Sequence, residues 1–381
     1  MCYNENSFAE GLNEMTPLFS IVIPAYNAGQ FLGKAVDSVL NQDFDDYELI
    51  IVDDGSKDNT LEICNTYAEK FKDKVIVITQ SNKGLSGARN SGMKRANGEY
   101  LLFLDADDYI EPNSLSTLSD RIIQLGYPDI VVFGILSNKF PWVPSDNPVN
   151  EVLDRNYIET VIIPEQINLK PRTRDIQPFV WNKAYKKEII DTYSLAFDES
   201  YRKWEDKDFV LSFLLHAQTM VCLDIALYSY ESVNDPTECL STSFDPSLIL
   251  SIPSRSKKTF GMFDAKYHLS ESEYYKRYMF EIVLGLCKEM LNSGYEKTKN
   301  TLIEVFSDEL VRDWASAVIA KSKIEKEVLC SIEKNSFDKL EEMLIKLFAD
   351  REKKERRDQR IKSIVSFPRR CLGKAKRTVF K

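Results

Sequence analysis

The sequence predicts an α/β fold: a mostly parallel sheet covered by helices on both faces, followed by a helical region. Three observations carry this. Short apolar runs alternate with helix-length amphipathic segments from Phe19 to Leu104. The runs are continuous rather than alternating apolar and polar, as strands buried on both faces are. Beyond about residue 245 the strand patterns stop and helix-length apolar repeats take over.

Taken in order, the first fifteen residues read as a frayed leader, and periodic signals begin at Phe19. Phe19 to Pro24, Glu48 to Val52, Val75 to Thr79 and Tyr100 to Leu104 read as strands. Between them lie helices from Phe31 to Leu40, from an Asp58 cap to about Phe71, and from Leu85 to Ala96. A helix is expected to begin near Pro112, with Asp108 as its cap, and Phe140 to Arg174 reads as loop. Phe209 to His216 reads as an apolar helix with His216 packed in the core, and Val221 to Tyr230 as a strand. Helices then follow over Tyr274 to Leu291, Thr301 to Ala320 and Ile324 to Phe348, the last with Leu340, Leu344, Leu347 and Phe348 on one stripe. The organisation expected is a catalytic domain over 16–244, a helical domain over 245–350 and a basic amphipathic tail over 351–381.

Composition narrows the class. The 381 residues, 43% apolar and 29% charged, contain no apolar run of eighteen and no basic leader ahead of an apolar stretch. That argues against a spanning helix and a secretory signal. Seven scattered cysteines without a C-x-x-C pair read as reduced thiols of a cytoplasmic protein, with no zinc site. The net charge of −9 is uneven: residues 351–381 hold thirteen Lys and Arg against three Asp and Glu, a net +10, which leaves −19 on the rest. Such a body excludes nucleic acid as a partner. The tail interleaves its cations with Ile361, Ile364, Val365 and Phe367, which suits peripheral contact with an anionic membrane surface. Nothing in the pattern sets an oligomeric state.

The candidate site lies where the four strands end, because ligands of open α/β sheets gather at the strands' carboxyl ends. Strand one runs into Pro24-Ala25-Tyr26-Asn27, strand two into Asp53-Asp54-Gly55-Ser56, strand three into Asn82-Lys83-Gly84, and strand four into Asp105-Ala106-Asp107-Asp108. Two carboxylates one residue apart on a rigid strand end suit a hard divalent ion that keeps positions open for phosphate oxygens. Tyr26 and Asp54 offer a nucleobase a planar partner and an imide acceptor, and Asp105 offers a ribose a hydroxyl acceptor. Asp107 would hold a cation for a diphosphate, with Arg89 supplying a second positive charge. No G-x-G-x-x-G follows the first strand and no G-x-x-x-x-G-K-[ST] occurs, which disfavours dinucleotide dehydrogenases and P-loop NTPases.

Four motifs in order, Ser20-Ile-Val-Ile-Pro-Ala-Tyr-Asn27, Val52-Asp-Asp-Gly-Ser56, Asn82 to Gly92 and Leu104-Asp-Ala-Asp-Asp108, resemble glycosyltransferase family 2, the inverting enzymes of GT-A fold. A weaker match continues through Trp181-Asn-Lys183 and Trp204-Glu-Asp-Lys-Asp-Phe209 to about Ser241. The resemblance implies that Pro24, Ala25, Tyr26, Asn27, Asp54, Asn82, Arg89, Asp105 and Ala106 hold the nucleotide of a sugar donor, UDP by default. It implies Asp107, with Asp105, as ligands of Mn²⁺ or Mg²⁺, Trp181 and Glu205 as substrate contacts, and Asp206 as the base. The acceptor implied is a saccharide or lipid-linked saccharide in polysaccharide assembly. Many relatives carry a basic residue and then a histidine after the Tyr230 strand; here Glu231-Ser232-Val233-Asn234-Asp235 follows, with Asn234 or Asp235 as the substitute ligand. Two rival readings are a non-catalytic nucleotide-sugar-binding subunit and a sugar-phosphate nucleotidyltransferase. The second calls for a basic, glycine-rich phosphate loop where this chain has Pro24 to Asn27.

Overall fold

The structure, a computed structural model, describes residues 16–137, 142–169, 176–201, 205–231, 246–354 and 356. The leader, Asn234 and Asp235, and the tail past residue 356 lie outside the described residues. The described residues of Met1–Ile167 and Pro171–Ser243 form one compact unit, and those of Asn168–Lys170 and Phe244–Lys381 a second.

The first unit is built on β1 (Phe19–Ala25), β2 (Tyr47–Asp53), β3 (Val75–Thr79) and β4 (Tyr100–Phe103). They alternate with α1 (Leu32–Leu40), α2 (Thr60–Lys70) and α3 (Gly84–Arg95). The strands lie parallel in the order β3-β2-β1-β4, and every residue of β1, β2 and β4 is buried. That is the reason these runs are unbroken apolar sequence: both faces are covered. Parallel register aligns Ala25 with Asp53 and Asp53 with Thr79, so the strand-end segments share one edge, as expected.

Beyond β4 the sheet becomes mixed. β5 (Tyr109–Ile110), α4 (Ser114–Gln124), β6 (Ile130–Leu136) and β7 (Val152–Leu153) follow in the chain. Next come α5 (Arg155–Tyr157), a π-helical turn (Ile158–Ile162), α6 (Ile163–Gln166), β8 (Lys183–Lys186), α7 (Lys187–Thr192), α8 (Glu205–Leu214) and β9 (Met220–Ser229). The stretch read as loop from 140 to 174 therefore carries a strand and helical turns. Its short pieces lack the length that makes periodicity legible. β8 runs antiparallel to β4, which brings Trp181 and Asn182, just before β8, alongside the carboxyl end of β4. β9 pairs antiparallel with β5, Tyr109 opposite Ser229, so its end also reaches that edge.

Three local expectations are corrected. α4 starts at Ser114 behind Asn113, and Asp108 does not cap it. α8 stops at Leu214, so His216 lies past the helix, half-buried and stacked on the exposed Tyr193 ring at 3.6 Å. The Thr301 to Ala320 helix is two, α11 (Thr298–Ser307) and α12 (Glu309–Ser316), because Asp308 adopts extended backbone and its carboxylate accepts from the N–H groups of Leu310 and Val311. An N-cap of this kind starts a new helix rather than continuing an old one.

The second unit is helical: α9 (Pro246–Tyr267), α10 (Glu273–Asn292), α11, α12 and α13 (Lys323–Glu333), then a helical segment over 340–354. α13 and that last segment were expected as one helix; Asn335, at φ 51° in the left-handed region, separates them. Leu340, Leu344, Leu347 and Phe348 are buried together as the stripe implies. No helix among the described residues is long and apolar enough to cross a membrane.

Gly92 sets how closely α3 approaches β1. A Cβ there would lie 2.3 Å from Val22 Cγ1, inside any allowed contact. Gly92→Ala is expected to lower stability by about 1–3 kcal/mol in urea unfolding. Adding Val22→Ala should recover part of that loss, and simple additivity of the two would contradict the packing reading.

Candidate active site

The carboxyl edge is laced together by its own polar groups. The Asn27 N–H donates to Ser56 Oγ (3.1 Å) and the Lys57 N–H donates to Asn27 Oδ1 (2.8 Å), joining the segments after β1 and β2. Asn27 takes φ 50°, a left-handed conformation that asparagine tolerates better than most residues. Pro24 and Ala25 are buried at the strand end, while Tyr26 is 48% exposed on the edge.

Asp54, expected to meet a nucleobase, is buried, and both of its oxygens already accept internal bonds. Oδ1 accepts from Gln80 Nε2 (2.7 Å) and the Lys83 N–H (2.8 Å), and Oδ2 from the Gly84 N–H (2.8 Å). It therefore fixes the β3–α3 turn and the first N–H groups of α3, leaving Asn82 exposed beside it. Gly55 (φ 74°) is needed in the same crossing, since a Cβ would meet the Asn82 nitrogen at 3.0 Å.

Arg89 is the centre of the site. Expected beside a diphosphate, it is instead 1% exposed, with both terminal nitrogens in ion pairs. Nη2 donates to Asp105 Oδ1 (3.0 Å), and Nη1 donates to Glu205 Oε1 (3.0 Å) and Asp206 Oδ1 (2.6 Å). Its Cζ lies 5.3 Å from the Phe197 ring centroid and 6.0 Å from that of Phe103. Burial pushes the guanidinium pKa down, but Asp206, Asp105 and Glu205 outweigh this and hold it above the ordinary arginine value. The same crowding raises the carboxylates. Burial and then Asp206 raise Glu205; burial, opposed by Arg89 and assisted by Asp206, raises Asp105.

Three carboxylates around one guanidinium leave surplus negative charge, and the next residues add to it. Burial first and Asp105 next raise the Asp107 carboxyl to about 6, with Glu231 contributing. Among the described residues no three His, Cys, Asp or Glu side chains converge as a ready-made metal cage. A divalent ion of the Mg²⁺ kind needs only one or two carboxylates when substrate phosphates complete its shell. Asp107 and Asp105, crowded by like charge, fit that requirement.

Asp108 serves a different purpose from a helix cap. Its buried carboxylate accepts from the Tyr228 hydroxyl (2.6 Å) and the Glu231 N–H (2.8 Å), anchoring the end of β9 to the acidic turn. The Asp105 N–H donates to the same hydroxyl oxygen (3.3 Å). Ala106 is buried between the two carboxylates.

Several residues that hold the site were not singled out by sequence. The Asn90 side chain donates to the Phe197 carbonyl (2.9 Å) and accepts the Phe197 N–H (2.9 Å), which pins the segment ahead of α8. Lys183, fully buried, donates to the carbonyls of Ile176 (3.2 Å), Gln177 (2.8 Å) and Phe179 (2.6 Å) and to Asn182 Oδ1 (2.7 Å). Trp181, which the sequence did single out as a substrate contact, is 6% exposed and lies in an aromatic stack with Phe179, Tyr228 and Tyr230. The available signal for Asn90 and Lys183 was position: Lys183 lies in Trp181-Asn-Lys183 and Asn90 in the Asn82 to Gly92 segment. Four described cysteines, Cys64, Cys222, Cys287 and Cys330, are free thiols.

Comparison with known proteins gives the family and the fold. The profile of Glycosyl transferase family 2 matches residues 20–191. The chain is 37% identical to the uncharacterized glycosyltransferase EpsJ of Bacillus subtilis over 228 residues, covering 59% of this chain and 64% of EpsJ. It thus spans less than two thirds of that relative. It is 30% identical to the glycosyltransferase GlyG of Streptococcus pneumoniae over 244 residues, covering 61% of this chain and 76% of GlyG. Among solved structures, S. aureus TarS 1–349 in complex with UDP-GlcNAc superposes with a TM-score of 0.58 at 19% identity, covering 87% of this chain and 92% of that one. That likeness shows the GT-A fold.

Proposed function

The chain belongs to glycosyltransferase family 2, and from that premise we propose that its carboxyl edge transfers a sugar from a nucleoside-diphosphate donor to a saccharide hydroxyl, with inversion. The observation that carries the reading is the Arg89 hub, which ties Asp105 on a strand end to Asp206 at the head of α8. The acidic pair suited to a diphosphate and a carboxylate suited to taking a proton thereby share one edge.

In this reading Tyr26 lies against the base, with Pro24, Ala25, Asn27 and Asn82 as the pocket rim and Asp54 as the group that shapes it. Asp105 and Ala106 face the ribose. Asp107, with Asp105, would hold Mn²⁺ or Mg²⁺, which when bound offsets the charge gathering on the departing diphosphate. Asp206 accepts the proton of the attacking hydroxyl; a carboxylate is a weak base at neutral pH, so its effect comes from being held within hydrogen-bond reach. Arg89 acts through the carboxylates it holds. Glu205, its pKa raised by burial and Asp206, keeps the partner carboxylate oriented.

A UDP-sugar is proposed as donor, hexosyl or N-acetylhexosaminyl, supported by the UDP-GlcNAc bound to the similarly folded TarS. The acceptor proposed is a saccharide or lipid-linked saccharide in polysaccharide assembly, on the cytoplasmic side of the membrane. UDP release from a panel of UDP-sugars, with proton NMR of the first product, tests this: an α-linked donor should give a β product. Retention of the donor's configuration would contradict it. Asp107→Asn should weaken donor binding in Mn²⁺ while leaving the metal-free affinity unchanged, a contrast that calorimetry reads directly.

We propose also that the basic tail 351–381 brings the protein to anionic lipid. Each cation near such a surface contributes roughly 1 kcal/mol. Deleting residues 357–381 should abolish flotation with phosphatidylglycerol vesicles, and undiminished flotation would sink the idea.

A further inference from the structure

We propose that Gln80 is a positioning residue of the nucleotide pocket, the middle link of a hydrogen-bond relay that runs from Ser91 on α3 through Gln80 to Asp54 and so to the turn bearing Asn82. The role rests on the glycosyl-transfer reading above and adds to it a determinant of donor affinity that acts through Asp54.

The links come from three elements of the sheet edge. Gln80 follows β3 directly, and its N–H donates to the Asp53 carbonyl (3.0 Å), which carries the β2–β3 pairing one residue past the strand. From this fixed backbone its half-buried side chain joins two others: Nε2 donates to Asp54 Oδ1 (2.7 Å), and Oε1 accepts from Ser91 Oγ (2.6 Å). An ionised carboxylate only accepts, so the amide must turn its nitrogen toward Asp54 and its oxygen toward Ser91, whose hydroxyl must then donate. The relay therefore has one direction, and each link sets the next.

Asp54 is tied to α3 twice as a result. Its Oδ2 accepts from the N–H of Gly84, the first residue of that helix, and its Oδ1 from the N–H of Lys83, both at 2.8 Å. Through Gln80 it is also tied to Ser91, about two turns farther along the same helix. The Lys83 N–H belongs to the peptide that follows Asn82, so the Asp54 carboxylate orients the exposed residue proposed for the pocket rim. Without Gln80 the carboxylate would be held by that turn alone, and nothing outside the turn would fix the pair. Such preorganisation shows in affinity, because a turn ordered beforehand need not be ordered by the ligand.

Calorimetric titration of UDP in Mn²⁺ into the full chain tests the relay with Gln80→Met, Ser91→Ala and the double variant. Gln80→Met keeps the side-chain length but removes both bonds, and should weaken UDP roughly 5- to 20-fold, part of the worth of a bond to a charged group. Ser91→Ala, a small change at a half-buried helix position, should weaken UDP roughly 2- to 5-fold. It should add nothing in the Gln80→Met background, where the link is already gone. Inorganic pyrophosphate with Mn²⁺, which lacks base and ribose, should bind all four proteins equally. Unchanged UDP affinity in either single variant, additive losses in the double variant, or an equal loss of pyrophosphate binding would overturn the relay. Failure of UDP to bind the unaltered chain would instead overturn the glycosyl-transfer reading.

Discussion

Replacing Arg89 with methionine is expected to cost about 3–5 kcal/mol, the penalty for removing one partner from a buried ion pair. The side chain is 1% exposed and is the cation shared by Asp105, Glu205 and Asp206. Methionine keeps most of the volume, so the loss reports charge rather than a cavity. Arg89→Lys retains the charge without the planar fork and should fall between wild type and Arg89→Met. Adding Glu205→Gln to Arg89→Met should recover part of the loss, because it removes one carboxylate left without a cation. Calorimetric unfolding of the four proteins checks this order. An Arg89→Met midpoint equal to wild type would mean that the hub contributes nothing to the fold.

Asp206→Asn should separate stability from turnover. The amide oxygen can still accept from Arg89 Nη1, which Asp206 Oδ1 does at 2.6 Å, and only the longer bond that Oδ2 accepts from the Val180 N–H (3.3 Å) is given up. One negative charge leaves a site that holds more carboxylates than cations, so the variant should be at least as stable as wild type. Turnover should fall roughly 10²- to 10⁴-fold, the usual contribution of a positioned general base, with donor affinity within a few-fold of wild type. A gain or parity in stability with lost turnover is the pattern of a group kept for chemistry at some cost to the fold. Full turnover in Asp206→Asn would assign the proton to another group.

The four parallel strands and their ends were legible because each is a local signal: an unbroken apolar run followed by turn residues within a few positions. Their shared edge followed from parallel register alone. The couplings that make the edge a site were not legible in this way. Arg89 meets Glu205 and Asp206 across 116 and 117 positions, and Asp108 meets Tyr228 across 120. No window of sequence contains both partners, so Arg89 read as a free cation and Asp108 as a helix cap. β8 escaped notice for another reason. With Lys183 at its head, it carries charge where a buried strand should be apolar, and the carbonyls around Nζ account for that charge only once the chain is folded.

This edge is proposed to bind a nucleoside diphosphate through a metal held by Asp107 and Asp105. Calorimetric titration of UDP into the full chain, with Mn²⁺ and then with EDTA, tests it most directly. Saturable, one-site binding in Mn²⁺ that weakens sharply in EDTA is the expected result. Binding indifferent to the metal, or no binding of UDP or of any other nucleoside diphosphate to the folded chain, would contradict it.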